Sequence, residues 1–332
     1  MAAMGKNEGR RALITGADGF VGRHLARYLL DRGVEVLGLG LHPPREPEPW
    51  NACSYEVCDV VDRDRVFSLV RDFRPGYVFH LAAQSSVRRS WEDPLLTYRV
   101  ALLGQSNVFH ALVEAGVEPV VHVACSAEEY GPVSEEELPI PEDRPLRPVN
   151  PYALSKVIQE EHALFFHRVH GTRVVITRAF NIIGPGQTRE FVASDFAHQI
   201  AEIEAGLREP VIRVGNLEAR RDFSDVRDLV EAFWALVNRS GPGEVYNVCS
   251  GEDRPVREVL ELLVSMSRVP VRVEVDPGKL RKADIPALRG DNRKLRELTG
   301  WEPSIPLEKS LRDLLEWCRE EVCGLRETGC GS

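Results

Sequence analysis

No apolar run in this chain approaches the ~20 residues of a membrane-spanning helix. Residues 1–10 are polar and lack the apolar core of a secretory leader. Positive charge is also short: 42 Lys and Arg stand against 51 Asp and Glu, a net charge of −9. That balance counts against nucleic acid as a partner, and an anionic substrate would have to meet a local cluster of arginines. Cysteine is scarce and scattered, seven residues at 53, 58, 125, 249, 318, 323 and 330 with no Cys-x-x-Cys. Neither a disulfide framework nor a zinc site is expected, nor any other metal, which fits a reducing cytoplasm. No internal repeat is visible. What is present is 332 residues, 43% hydrophobic and 28% charged. Such a chain builds a soluble globular protein of one large or two ordinary domains.

The first half alternates short β runs with amphipathic helical stretches. Arg11 to Thr15 opens directly into Gly16-Ala17-Asp18-Gly19-Phe20-Val21-Gly22, and a helix carrying Leu25, Leu29 and Leu30 follows. Gly33 ends it, and a second strand runs from Val34 to Leu39. Strand, glycine turn, helix and strand in that order form the setting of a dinucleotide site. The glycines allow a tight turn and let the backbone approach a pyrophosphate at the helix N-terminus. The second strand would normally end in an acid for NAD or a base for NADP. Here it ends Gly38-Leu39-Gly40-Leu41-His42, with no acid and only Arg45 nearby, which leans toward NADP without deciding between the two cofactors. A third strand, Ser54 to Cys58, runs into Asp59-Val60, where the aspartate either accepts from an adenine amine or simply starts a turn. After helix 62–73 and the strand Tyr77 to His80 come Leu81-Ala82-Ala83, small enough at 82 and 83 to pass close to a cofactor. Asp93-Pro94 starts a long helix to about Ala115. The pattern from 11 to 180 predicts an α/β fold with a doubly wound parallel sheet of Rossmann type.

Two stretches carry the chemistry. The buried run Val120 to Ala124 ends in Cys125-Ser126-Ala127-Glu128-Glu129, so Ser126 stands at the carboxyl end of a central strand, where open α/β sheets bind ligands. Asn150-Pro151-Tyr152-Ala153-Leu154-Ser155-Lys156 begins a helix, with Asn150 as N-cap and Pro151 at the first position. Tyr152 and Lys156 lie one turn apart on the same face. An ammonium beside a phenol favours the phenolate and draws its pKa toward the working range. Tyr-x-x-x-Lys also occurs on plain surface helices, so it is the company of the glycine turn and Ser126 that singles this pair out.

Beyond the strand Val174 to Arg178 the chain has no second glycine fingerprint and reads as a smaller α/β substrate-binding domain. The expected division is 10–180 for the dinucleotide-binding domain and 181–325 for the smaller one, with the chain able to cross back around 225–250. Asn181 to Gln187 reads as a loop, 191–205 as a helix, Val211 to Gly215 as a strand and 225–238 as a helix. Strands at 245–248 and 271–275 and helices at about 255–267, 291–298 and 307–321 complete it. Arg220, Arg221 and Arg281 are the candidates for contacting phosphate, although each could as well pair with a nearby acid.

Together, Gly16-x-x-Gly19-x-x-Gly22, Ser126 and Tyr152-x-x-x-Lys156 resemble the extended short-chain dehydrogenase/reductase superfamily over nearly the whole chain. The runs Phe191 to Ile200, Val214 to Phe223 and Val245 to Gly251 resemble its branch acting on GDP-mannose-derived sugars. The tail, Arg281 to Pro286, Gly290 to Leu295 and Thr299-Gly300-Trp301, is most similar to the GDP-4-dehydro-6-deoxy-D-mannose reductases. The resemblance implies a catalytic triad of Ser126, Tyr152 and Lys156. Gly16, Gly19, Phe20, Val21, Gly22, Asp59, Val60, Leu81, Ala82 and Ala83, with Tyr152 and Lys156, would hold NADPH or NADH. Ser85, Glu128, Asn181, Arg221 and Arg281 would meet the GDP-sugar. Hydride would go to C4 of the keto sugar while Tyr152 protonates its oxygen, Ser126 polarises the carbonyl, and Lys156 lowers the tyrosine pKa and binds the nicotinamide ribose. A cytoplasmic homodimer through the helices near 93–115 and 152–168 is also implied.

Three positions depart from the family's pattern. Ala101 replaces an asparagine that commonly supports the lysine through a water, Cys125 stands where serine is common, and Lys282 replaces a proline after Arg281. The nearest rival is the 4,6-dehydratase of the same branch, which needs a carboxylate base where Glu128 stands. Against it, Gly19-Phe20-Val21-Gly22 lacks the Gln-Asp pair of the dehydratase turn. A 4-epimerase comes third. A non-catalytic NAD(P)-binding sensor is supported by Ala101 alone.

Overall fold

The computed structural model describes residues 10–44, 49–279 and 285–329. Arg45, Arg281 and Lys282, named above, lie outside the described residues.

Why the first half folds as it does can be read strand by strand. β1 (Arg11–Thr15) leads through the glycine turn into α1 (Phe20–Leu30), then β2 (Glu35–Gly40) and β3 (Ser54–Val57). α2 (Arg63–Phe73) is capped by Asp62, whose side chain accepts from Arg65 N at 3.1 Å. β4 (Tyr77–His80) follows, then α3 (Val87–Glu92), α4 (Pro94–Tyr98), α5 (Gln105–Glu114) and β5 (Val120–Ser126). α6 (Pro151–His170) and β6 (Arg173–Ala179) close the alternation. The strands are parallel and lie in the order β3-β2-β1-β4-β5-β6, with β10 (Glu244–Val248) added beside β6. Both faces are covered, so alternate residues serve different cores. Ala12 and Ile14 pack with Leu25, Leu29 and Phe233 on one side, and Leu13 packs with Val66, Phe109 and Phe166 on the other.

The long helix expected from Asp93 to Ala115 is interrupted. Asp93 ends α3 and caps α4, accepting from Leu96 N at 2.9 Å. Between α4 and α5 the turn Arg99–Gly104 widens to a π-helix, with Ala101 buried inside it. π-turns are uncommon inside helices and often sit beside functional groups.

In the second half, β7 (Asn181–Ile183), α7 (Val192–Glu204), β8 (Val211–Val214) and β9 (Arg220–Asp225) precede α8 (Val226–Arg239) and β10. β11 (Asp253–Pro255), α9 (Val256–Ser265), β12 (Arg272–Val275), β13 (Ala287–Leu288), α10 (Arg293–Thr299) and α11 (Leu307–Gly329) follow. β9 is the centre of a small sheet, paired with β7, β11 and β13, while β12 pairs with β8. Four of these strands differ from expectation: 181–183 reads in the sequence as loop, 220–223 only as a lead-in to helix, and 253–255 and 287–288 carry no strand signal. They are short, and they are strands because remote segments pair with them, which no local pattern signals. α7, α9 and α11 enclose a separate apolar core including Phe196, Ile200, Leu260 and Leu314. α8 instead packs on α1, and β10 extends the main sheet, so the chain returns to the first layer before leaving again.

Candidate active site

The sheet order reverses direction between β1 and β4, and ligands of open α/β sheets bind in the crevice outside the carboxyl ends at such a point. The glycine turn sits there. Gly16 has φ +69°, and a Cβ on it would lie 2.9 Å from Ala82 N. A Cβ on Gly22 would lie 2.5 Å from Gly16 O and 2.7 Å from Ala17 O, so only glycine lets α1 begin this close to β1. Gly19 is the N-cap of α1 and offers no side-chain acceptor, leaving the first N–H groups of the helix for a ligand. Beneath the turn Thr15 Oγ1 pairs with His80 Nδ1 at 2.9 Å and accepts from Ala82 N at 3.3 Å, fixing the Leu81-Ala82-Ala83 wall against it. His80 is held neutral by burial, its pKa lowered to about 3. Phe20, beside Val21, stacks edge-on against His24, whose Nε2 meets Pro185 O at 2.8 Å; this ties the turn to the loop after β7. These residues fit a dinucleotide pyrophosphate: backbone donors at a helix start, with no room for side chains.

Around the far end of β2, Val60 is buried against Gly104, where a Cβ would come within 2.6 Å of Val60 Cγ2. Asp59 is exposed, and its Oδ1 accepts from Val61 N at 3.0 Å in an Asx turn. The end of β2, which carries no acid in sequence, has one in space: the Asp18 carboxylate accepts from His42 N at 3.3 Å. A Cβ on Gly40 would lie 2.7 Å from Asp18 Oδ1. The signal was available only as an acid inside the glycine turn.

Ser126 ends β5 and Tyr152 begins α6, so two hydroxyls from neighbouring elements converge at the sheet's carboxyl edge. Asn150 caps α6, its Oδ1 accepting from Ala153 N at 2.7 Å, and its Nδ2 donates to Glu128 Oε2 at 3.1 Å. Burial raises the Tyr152 pKa, the Ser126 hydroxyl lowers it, and the Glu128 and Glu129 carboxylates raise it further. Lys156 is buried, its Nζ 5.9 Å from the centre of the Tyr152 ring. Nζ donates to Ala124 O and to Gln159 Oε1, each at 2.8 Å.

Under these groups lies a buried ionic layer. Glu129 is fully buried, and its Oε1 accepts from Ser126 N at 2.9 Å, completing a capping box with the catalytic-candidate serine. Arg178 on β6 donates to Glu160 Oε1 at 2.6 Å and Oε2 at 2.9 Å, and to the Tyr130 hydroxyl at 2.9 Å. Its Nε lies 3.7 Å from Glu129 Oε2, an oxygen without a hydrogen bond. Burial and the nearby Glu160 push the Glu129 pKa above the usual carboxylate range, which favours the protonated acid. Sequence reading placed an acid at 129 but not its burial. Gln159, three residues beyond Lys156, was missed although the i, i+3 spacing puts both on one face.

The remaining candidates stand on three other segments of the chain. Ser85 is exposed after β4, and Asn181 is half-buried at the start of β7. Arg221 lies nearly buried on β9, its Nη1 donating to Arg220 O at 2.9 Å and Ile285 O at 2.8 Å. The next residue, Asp222, holds that strand in place: it accepts from Ser250 N at 2.7 Å, Ser250 Oγ at 2.6 Å, Gly251 N at 3.0 Å and Gly290 N at 3.2 Å.

This geometry has close counterparts. A sequence model of the family described as GDP-mannose 4,6 dehydratase matches residues 13–314. The chain belongs to that family of extended short-chain dehydrogenases/reductases. Among curated proteins it is 36% identical over 311 residues to the GDP-6-deoxy-D-mannose reductase of Pseudomonas aeruginosa, covering 93% of this chain and 97% of that one. It is 30% identical over 320 residues to the UDP-glucose 4-epimerase of Mycolicibacterium smegmatis, covering 94% and 99%. Among solved structures, RMD from Pseudomonas aeruginosa complexed with NADPH superposes with a TM-score of 0.84 at 35% identity, over 94% of this chain and 99% of that one. The family thus contains members with different reactions on one scaffold, and the site must choose among them.

Proposed function

We propose that this family member is an NAD(P)H-dependent oxidoreductase that reduces the C4 keto group of GDP-4-dehydro-6-deoxy-D-mannose to give GDP-D-rhamnose. What supports the reading most is the near full-length likeness to a GDP-6-deoxy-D-mannose reductase, together with Ser126, Tyr152 and Lys156 standing at one edge of the sheet. Gly16, Gly19, Phe20, Val21 and Gly22 would hold the pyrophosphate, Asp59 and Val60 the adenine end, and Leu81, Ala82 and Ala83 the nicotinamide side. NAD(P)H, when bound, supplies the hydride. Tyr152 gives its proton to the sugar oxygen and Ser126 orients that oxygen by hydrogen bond. Lys156 contributes the positive charge that eases loss of the tyrosine proton. Ser85 and Asn181 contact the sugar or its phosphates, and Arg221 contacts the diphosphate, with Arg281 assigned the same task.

A second reading, GDP-mannose 4,6-dehydratase, is favoured by one observation: Glu128 is half-buried two residues from Ser126 and is oriented by Asn150. Glu128→Gln separates the two. A reductase keeps its turnover within roughly threefold, whereas a dehydratase, losing its base, falls by about 10²-fold or more.

The proposal extends to assembly. Trp91 and Leu95, Leu103 and Phe165 leave 63%, 77%, 43% and 47% of their surface exposed on α3, α4, the wide turn and α6. Exposed apolar groups on adjoining helices suit a second copy of the chain. Leu95→Glu with Phe165→Glu would convert a homodimer to monomers in sedimentation, while a wild type already monomeric removes the proposal. No helix among the described residues is long and apolar enough to cross a membrane. Reduced cysteines at 53, 58, 125, 249, 318 and 323 accord with a cytoplasmic enzyme.

A further inference from the structure

Lys156 carries its ammonium into the interior, with 4% of the residue exposed. Burial strips its hydration and lowers its pKa. The groups around it come from every neighbouring element. Cys125 on β5 and Glu129 in the turn after it face it, and each favours the ammonium only when ionised. His80 on β4 and His122 on β5, both neutral through burial, feel its charge from the sheet side. Tyr152 precedes it by one turn on α6. Among the described residues no ion pair holds it. Nζ is satisfied instead by two neutral carbonyl oxygens, Ala124 O and Gln159 Oε1, both at 2.8 Å. The first is main chain and comes with the fold. The second is a side chain, 1% exposed, on a residue whose own backbone oxygen is fixed from α5 by Gln105 Nε2 at 2.8 Å.

We infer that Gln159 is a positioning residue of the reaction, keeping the buried Lys156 protonated and fixing where its charge stands beside Tyr152. A neutral acceptor solvates an ammonium without cancelling its charge, so the charge remains available to the phenol. A carboxylate in the same place would hold the proton but offset the field. An aliphatic side chain of similar length would leave the ammonium short of one acceptor and favour the neutral amine. The kinetic arm of this inference rests on the proposed reductase function; the thermal arm below does not.

The test compares wild type, Gln159→Leu and Gln159→Glu. In kcat measured from about pH 6 to about pH 10, the descending basic limb should move down by about one pH unit in Gln159→Leu, the size expected for losing a hydrogen bond to a charged group. In Gln159→Glu it should move up, because a carboxylate retains the lysine proton. KM for the keto sugar should change less than roughly twofold in both. A structural role would scale kcat evenly without moving the limb, so unmoved limbs, or limbs that move the same way, overturn the inference. Melting temperature supplies the arm that needs no substrate. Gln159→Leu should lie furthest below wild type near pH 7, and the gap should narrow as pH rises and the buried lysine gives up its proton. A gap constant with pH overturns the inference. A wild type that turns over no nucleotide keto sugar defeats the functional reading and leaves the melting curves to decide Gln159. Should Gln159→Leu not fold, the direction of the Gln159→Glu limb decides.

Discussion

In the proposed assignment, the cofactor end and the substrate end of this site face the same kind of group, a diphosphate, and are built in opposite ways. At the cofactor end the work falls to backbone: Gly16, Gly19 and Gly22 within seven consecutive residues, a helix start, and no space for a Cβ at Gly16 or Gly22. At the proposed substrate end it would fall to a side chain, Arg221, on a three-partner strand fixed by Asp222 through donors 28 to 68 residues away in sequence. A backbone site needs one contiguous motif and is intolerant of any side chain. A side-chain site needs remote scaffolding, tolerates variation around it, and so is where relatives acting on different sugars can diverge.

Substitutions should separate the two ends. The largest effect belongs at the seam: Tyr152→Phe should lower kcat by about 10²- to 10⁴-fold with NADPH affinity kept, measured by fluorescence titration. Next comes the backbone end. Gly22→Ala forces a Cβ against Gly16 O and Ala17 O; it should weaken NADPH binding by roughly tenfold or more and cost about 1–3 kcal/mol of stability in urea unfolding. Arg221→Ala should raise KM for the GDP-sugar by roughly tenfold while NADPH affinity stays put, since a hydrogen bond from a charged group is worth about that much. Equal losses at both ends from either variant would erase the distinction drawn here.

The smallest effect concerns pH. Burial and Glu160 raise the Glu129 pKa above its ordinary value in the folded chain, so between the ordinary carboxylate range and that raised value folding holds a proton that the unfolded chain releases. Its contribution is therefore present at low pH and is lost as pH rises through that window. Glu129→Gln keeps an oxygen for Ser126 N without the ionisation. Its melting temperature relative to wild type should climb between about pH 5 and about pH 8, and a flat difference would show that Glu129 is ionised in place.

The legibility of the sequence follows the same division. β1, the glycine turn, α1 and the start of α6 were readable because each is specified by adjacent residues: a short apolar run, a φ that favours glycine, an Asn cap before Pro151. β7, β9 and β11 were not, because their strand character comes from pairing partners tens of residues away. The Asp18 carboxylate at the end of β2 and the Glu129–Arg178–Glu160 layer were hidden for the same reason. Gln159 was in plain view at i+3 from Lys156, and only the burial of the ammonium shows why an acceptor there matters.

The measurement that bears most directly on the whole account is loss of the near-ultraviolet absorbance of NADPH, and then of NADH, on adding GDP-4-dehydro-6-deoxy-D-mannose. The account predicts stoichiometric oxidation of the cofactor with reduction at C4, abolished in Tyr152→Phe. Unchanged absorbance with that sugar, together with conversion of GDP-mannose to a 4-keto sugar without net cofactor use, would contradict it and pass the assignment to the dehydratase and Glu128.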